Sequence, residues 1–171
     1  SRRQRQMCIR DRDSLTGLLN NSTIKQQIGA RLQSLKRGQT GYLVVQDVDS
    51  FKKINDTNGH LFGDAVLCSF ADELSNIFPE ALKGRIGGDE FVFYVEDMDR
   101  EHLEEKLKQL NRCMSDRYDD DKTGLHISCS LGAAVTDGTV TDYNLLFQWA
   151  DAALYQVCLL YTSPSPRDQR G

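Results

Sequence analysis

A chain of 171 residues, 39% hydrophobic and 27% charged, has the make-up of one soluble globular domain able to bury its own core. Its net charge of −4 argues against a sequence-independent nucleic-acid binder, which would carry a basic stripe. No apolar run reaches the length that crosses a bilayer, and no signal-peptide pattern opens the chain. The five cysteines, at 8, 68, 113, 129 and 158, follow no metal-ligand spacing and leave one over under any pairing, as free thiols in a reducing compartment would. The expected location is the cytoplasm, with no membrane contact and no nucleic-acid partner.

Residues 1–12, SRRQRQMCIRDR, are basic and without periodicity. Asp13 to Asn20 is a turn-rich opening segment with a Thr-Gly pair between leucines. Ser22 then serves as the expected cap of a helix whose apolar positions Ile24, Ile28, Leu32 and Leu35 share one face, stopped by Lys36, Arg37 and Gly38. Tyr42 to Val45 is a continuous apolar run, the pattern of a central strand buried on both faces. It leads into Asp47-Val48-Asp49-Ser50-Phe51, and a carboxylate at the end of a buried strand needs a cation or a dense hydrogen-bond shell. The polar stretch Lys52 to Asp64 brings together lysines that answer phosphates and Asn and Asp groups able to read a purine edge. His60, taken alone, reads as structural.

From Asp64 on, Leu67, Phe70, Ala71, Leu74, Ile77 and Phe78 mark an amphipathic helix closed by Pro79. Arg85-Ile86-Gly87-Gly88-Asp89-Glu90-Phe91 follows, with two glycines and two adjacent acids ahead of the strand run Phe91 to Val95. Glycines permit a tight reversal and a close approach to a ligand, and paired carboxylates suit Mg²⁺. A helix from about Asp99 presents Leu103, Leu107, Leu110 and Met114 inward. Asp119-Asp120-Asp121 lacks the alternate spacing of a calcium loop and reads as a surface turn. Ile127, Cys129, Leu131, Ala133 and Val135 alternate as in a strand, and Leu146, Trp149, Ala150, Ala153, Leu154 and Val157 form the stripe of a last helix. The class is α/β (α+β) with one mixed sheet. Residues 158–168, CLLYTSPSPRD, join a short apolar piece to a Ser-Pro run that fits no packed element. Both ends resemble in-frame translations of the adapters joined to DNA fragments in sequencing libraries. The expected division is a folded unit at 13–157, cut short at its C-terminal side, between two non-native, disordered tails at 1–12 and 158–171.

Five ordered pieces resemble the GGDEF-domain diguanylate cyclases: Asp13 to Asn20, Asp47 to Asp64, Arg85 to Phe91, Ser130 to Ala134 and Ala150 to Tyr155. The resemblance implies a ferredoxin-like, nucleotide-cyclase-type domain with a central, largely antiparallel sheet. It also implies condensation of two GTP into cyclic di-GMP with release of two pyrophosphates, each domain of a transient homodimer holding one GTP. At matching positions, Asp47, Glu90 and the main-chain carbonyl of Val48 would hold Mg²⁺ (or Mn²⁺), and Asp89 would be a ligand or act near the attacking hydroxyl. Asn55 and Asp64 would read guanine, Gly88 would admit the nucleotide, and Ser50, Phe51 and Lys52 would meet phosphates. Which of the coupled acids is the general base stays open.

Three departures from the family pattern stand out. Asn21 replaces a common arginine. Phe78-Pro79-Glu80-Ala81 lacks the Arg-x-x-Asp product-binding motif, so no product inhibition through it is expected. Cys158 stands where the family has a phosphate-contacting lysine, and a later arginine is missing too. A non-catalytic GTP-binding sensor or interaction module is therefore the second reading for this chain. A cyclase forming a cyclic mononucleotide is a third, disfavoured by the Gly-Gly-Asp-Glu-Phe signature. An upstream sensor or receiver domain is the expected source of regulation and dimerisation, so that the isolated domain is expected to be mainly monomeric and slow.

Overall fold

Chain order and hydrogen bonding reduce the domain to a βαββαβ core with an added helix at either end. The computed structural model describes residues 10–154 and, for their backbone, 159–161. The elements are α1 (Asn21–Ser34), β1 (Gly41–Val48), α2 (Phe51–Asn58), α3 (His60–Ile77), β2 (Leu82–Arg85), β3 (Glu90–Glu96), α4 (Arg100–Tyr118), β4 (Cys129–Thr136), α5 (Tyr143–Ala152) and β5 (Leu159–Tyr161). The sheet order is β2-β3-β1-β4-β5, with β1 antiparallel to both β3 and β4. This is the ferredoxin-like arrangement, and the α+β expectation holds.

The period-2 alternation of β1 divides the core. Tyr42, Val44 and Val48 face α3 and α4, where Phe70, Leu74, Leu107 and Met114 are buried with Phe91 and Phe93. Leu43 and Val45 face α1 and α5, against Ile28, Leu32, Leu146 and Ala150. With both faces covered, β1 is buried along nearly its whole length, as its unbroken apolar run requires. Asp47 lies in the second alternation class, so it emerges on the α5 side at the strand's end.

Four expectations shift. The cap of α1 is Asn20, whose side chain accepts from the Thr23 amide at 3.0 Å, while Ser22 donates its hydroxyl to Asn20. The helix expected from Asp64 begins at His60, because Gly59, at φ +89°, ends α2 and restarts the chain at once in α3. Residues 126–128 precede β4 rather than opening it. Leu159–Tyr161, expected to be part of a disordered tail, runs as a strand parallel to β4, whose outer edge would otherwise present unpaired backbone groups. Val157 and Cys158 lie outside the described residues. No described helix is long and apolar enough to cross a membrane.

Candidate active site

At the mouth of the sheet, cross-strand register does the assembling. Asp47 of β1 stands directly opposite Glu90 of β3 and opposite Ser130 of β4, so the three side chains form one row on the α5 face. One row further in, the β4 position is Gly132. A Cβ there would lie 2.2 Å from the carbonyl oxygen of Ala150, so only glycine lets α5 settle this close to the sheet. That approach brings Asp151 to the mouth. Asp47, Asp49, Asp89 and Asp151 line one open cavity of about 590 Å³ together with Val48, Ser50, Phe51, Lys52, Ser130 and Leu154.

The electrostatics of this row are unbalanced. Partial burial, reinforced by the charges of Asp89, Asp151 and Asp49, pushes the Asp47 carboxyl up to about 6. Burial and the charges of Asp47, Asp151 and Asp89 raise Glu90 as well. Lys52 is the one cation among the described residues lining the cavity. Asp49 differs from its neighbours, since it accepts from the hydroxyls of Ser128 (2.6 Å) and Ser130. Its amide donates to the Ser128 carbonyl at 2.9 Å. Asp49 is thus tied into the loop, while Asp47 lines the cavity and Glu90 stands opposite it across the strands.

The signature turn is held from its other side. Ile86 and Gly87 donate their amides to the Glu90 carbonyl at 2.9 and 3.3 Å, and Val48 donates to the Asp89 carbonyl at 3.3 Å. Arg85 folds back over the turn. Its Nε donates to the carbonyls of Gly87 (3.1 Å) and Gly88 (3.0 Å), its Nη2 to Gly88 (2.7 Å), and its Nη1 pairs with Asp13 at 3.2 Å. Asp13 also accepts from the Thr16 amide and hydroxyl at 2.8 and 2.7 Å. Burial works against the Asp13 charge, but the Thr16 bonds and the Arg85 guanidinium hold its carboxyl below the usual range. Neither signature glycine takes a left-handed φ. What Gly88 contributes is room, since a Cβ there would meet nothing within 4 Å.

Two further groups of expected residues lie on α2 and α3 and the residue that precedes them, the first group at the cavity wall. Ser50 precedes α2 in the left-handed region, φ 54° and ψ 37°, and its side chain makes no capping bond. For a residue other than glycine this is a strained conformation of the kind found at binding sites. It leaves the first-turn amides of Phe51 and Lys52 without intrahelical acceptors at the cavity wall, a polarity that suits an anion. Asn55 and Asp64 sit on facing helices. The Asn55 Oδ1 occupies the space where a Cβ on Gly63 would be, and it is buried with no hydrogen-bond partner.

The oxygen-only donor set fits a hard cation. Among the described residues no three His, Cys, Asp or Glu side chains form a group that would hold an ion by themselves. Of the residues singled out from sequence, the structure brings Asp47, Val48, Ser50, Phe51, Lys52, Asp89 and Glu90 together. Asn55 and Asp64 form a separate group along α2 and α3. Two residues had no role assigned from sequence. Asp151 was signalled by a charge among the alanines of a helix that buries Ala150 and Ala153, and Arg85 by a cation two residues before the Gly-Gly pair.

Fold and site together define a ferredoxin-like α+β domain with an acidic, oxygen-only site at the end of its central strand. The family model described as diguanylate cyclase, GGDEF domain, matches residues 10–158, and the chain belongs to that family. It is 31% identical over 153 residues to the probable diguanylate cyclase DgcT of Escherichia coli K12, covering 86% of this chain and 33% of that protein. It is 35% identical over 153 residues to the diguanylate cyclase DgcS of Shewanella oneidensis, covering 84% of this chain and 48% of that protein. The chain therefore spans about a third to a half of the length of these curated relatives. Its fold matches the GGDEF domain of DgcB from Caulobacter crescentus, solved in complex with c-di-GMP, with a TM-score of 0.75 at 26% identity, covering 89% of this chain and 95% of that one.

Proposed function

We propose that this domain condenses two GTP molecules into cyclic di-GMP and two pyrophosphates, each of two facing copies holding one GTP. The observation that carries this reading is the Asp47–Glu90 pair, set opposite each other by strand register in an acidic mouth beside the strained start of α2. Asp47, Glu90 and the Val48 carbonyl would hold Mg²⁺ or Mn²⁺, which when bound neutralises developing charge on the phosphates. The amides of Ser50 and Phe51 and the Lys52 ammonium orient the terminal phosphates. Asp64 accepts from the guanine N1–H and amino group, a donor pattern that adenine lacks, and Asn55 completes the edge contact. Gly88 would leave space for the nucleotide beside the turn, and Asp89 would be a further metal ligand or act near the attacking hydroxyl. Two facing copies are required because each 3′-hydroxyl attacks the α-phosphorus held by the other domain.

A second reading rests on a specific feature, the single lysine among the described cavity residues against a triphosphate. With Cys158 at the lysine position, this chain would bind GTP and turn it over too slowly to matter. The test is GTP turnover with Mg²⁺ at high protein concentration, with products resolved by chromatography, for the parent chain and for Cys158→Lys. Cyclic di-GMP from either one supports the cyclase reading, and its formation by Cys158→Lys alone assigns the defect to the phosphate contact. GTP binding without product from both would favour the sensor module.

A further inference from the structure

Asp49 lines the acidic cavity, yet both of its carboxylate oxygens are already engaged. Oδ2 accepts from the Ser128 hydroxyl at 2.6 Å and Oδ1 from the Ser130 hydroxyl. These serines stand two residues apart around Cys129, the spacing at which extended backbone presents side chains to one side. The Asp49 amide donates to the Ser128 carbonyl at 2.9 Å, which carries the β1–β4 pairing one residue past Val48 and Cys129. A peptide unit is planar and trans, so an Asp49 N–H aimed at β4 turns the Val48 carbonyl the opposite way, toward β3 and the signature turn. The Val48 amide is fixed on that same side by the Asp89 carbonyl at 3.3 Å. Immediately after Asp49 comes Ser50, at φ 54° and ψ 37° with no capping bond from its side chain. A left-handed serine persists only where its surroundings over-determine it, and Asp49 is the residue whose bonds fix the chain directly before it.

We propose that Asp49 is a positioning residue: clasped to Ser128 and Ser130, it sets the Val48 carbonyl toward the metal position and the first amides of α2 toward the nucleotide phosphates, and it binds neither itself. The assignment rests on the nucleotide reading above and deepens it. An acid in an acidic cavity would otherwise be counted with Asp47 and Glu90 as a metal ligand, and the two roles differ in what they need. A ligand needs the negative charge and not the serines. A clasp needs the serines and, at position 49, only atoms that hydrogen-bond them. Asparagine supplies those, since its carbonyl oxygen accepts from one hydroxyl and its amide donates to the other.

The full chain is titrated in Mn²⁺ with guanosine 5′-(α,β-methylene)triphosphate and with inorganic tripolyphosphate, bound Mn²⁺ being followed by electron paramagnetic resonance. Thermal midpoints and the Cα and Cβ chemical shifts of Ser50, which report a left-handed backbone, are recorded without ligand. Asp49→Ala and the double variant Ser128→Ala, Ser130→Ala are expected to raise Kd for both ligands by at least about 10-fold, the scale of losing a hydrogen bond to a charged group. Both are also expected to move the Ser50 shifts away from left-handed values. Asp49→Asn is expected to stay within about threefold of the parent in both Kd values and to keep the Ser50 shifts. A loss of about 10-fold or more in Asp49→Asn overturns the assignment, because position 49 would then be supplying charge, as a metal ligand does. So does a serine double variant equal to the parent. A lowered thermal midpoint in Asp49→Ala with unchanged Kd values makes the clasp merely structural and overturns it too. Should Asp49→Ala fail to fold, Asp49→Asn and the serine pair decide. If the parent itself fails to bind the guanosine analogue, the nucleotide reading falls and takes the assignment with it. If the parent binds and the clasp variants equal it, the assignment alone falls.

Discussion

The two sides of the Gly87-Gly88 turn solve opposite problems. On the Arg85 side every charge is answered: the guanidinium meets Asp13 and the carbonyls of Gly87 and Gly88, and Asp13 meets Thr16 as well. On the Glu90 side, Asp47 and Glu90 face each other across the strands with Asp89 and Asp151 close enough to raise both. A fold that satisfies polar groups a few residues away leaves these unmatched where a phosphate-bound cation would match them. Stability is built on one side of the turn and spent on the other.

The sharpest way to break that comparison is to neutralise the unmatched side. Asp47→Asn or Glu90→Gln is expected to lower cyclic di-GMP formation by at least about 10²- to 10³-fold, the scale of losing a group that stabilises transition-state charge. Without metal or nucleotide, Asp47→Asn is expected to raise the thermal midpoint, because it removes a repelled carboxylate. Chromatographic product assay and a thermal melt in chelator check the two halves. A variant that is both active and less stable would contradict the reading of this row as a functional site.

On the matched side the expected effects are smaller and of opposite kind. Arg85→Ala removes a partly buried ion pair and several bonds to the turn. It is expected to cost about 1.5–3 kcal/mol in urea unfolding, the range for hydrogen bonds to a charged group. Turnover should fall with KM nearly unchanged. Arg85→Lys should not restore it, since an ammonium cannot reproduce the planar fork. Retention of full turnover in Arg85→Ala would show that the turn holds itself.

Legibility from sequence follows the same division. The unmatched acids were readable because Asp47 at the end of a buried run and the Asp89–Glu90 pair are anomalous in place, and anomalies of burial and charge are visible in one dimension. The burial of β1, the α3 and α4 stripes and the strand after the signature were readable from period alone. Arg85 and Asp13 are 72 residues apart, and nothing in either segment announces the other. Asp151 acquires its place only because Gly132, on another strand, lets α5 approach. The Asn20 cap was hidden by an equally plausible Ser22 two residues later, since both residue types cap helices. The early start of α3 depended on a positive φ at Gly59 that composition permits but does not demand.

The Gly132 approach makes a third test. Gly132→Ala would place a methyl against the rigid carbonyl of Ala150 and is expected to cost about 1–3 kcal/mol of stability, the usual toll of overpacking. Because α5 must retreat, Asp151 would leave the mouth and the upward pull on Asp47 would weaken. Urea unfolding measures the first effect, and the titration of Asp47 followed by carboxyl carbon NMR measures the second. An unshifted Asp47 in a destabilised variant would separate Asp151 from the site.

The smallest effect, and the one that sets the two sides most directly against each other, is the pH dependence of stability. Asp47 is raised from 3.8 to about 6 in the fold, so between about pH 4 and 6 the folded chain holds its proton more tightly than the unfolded one. Its contribution therefore favours the fold below about pH 4, declines through about pH 6 and stays low above. Asp13 is lowered, so its contribution is present above about pH 4 and is lost on acidification. The Asp47 effect, discounted because the group is only partly buried, is on the order of 1 kcal/mol. Urea unfolding in chelator should then show Asp47→Asn nearly equal to the parent at about pH 4 and more stable by about that amount at about pH 7. Asp13→Asn should show the reverse, its deficit against the parent widening as pH rises from about 3 to 5. Parallel curves for the two variants would mean that the signature turn does not divide the molecule's charges in the way its hydrogen bonds do.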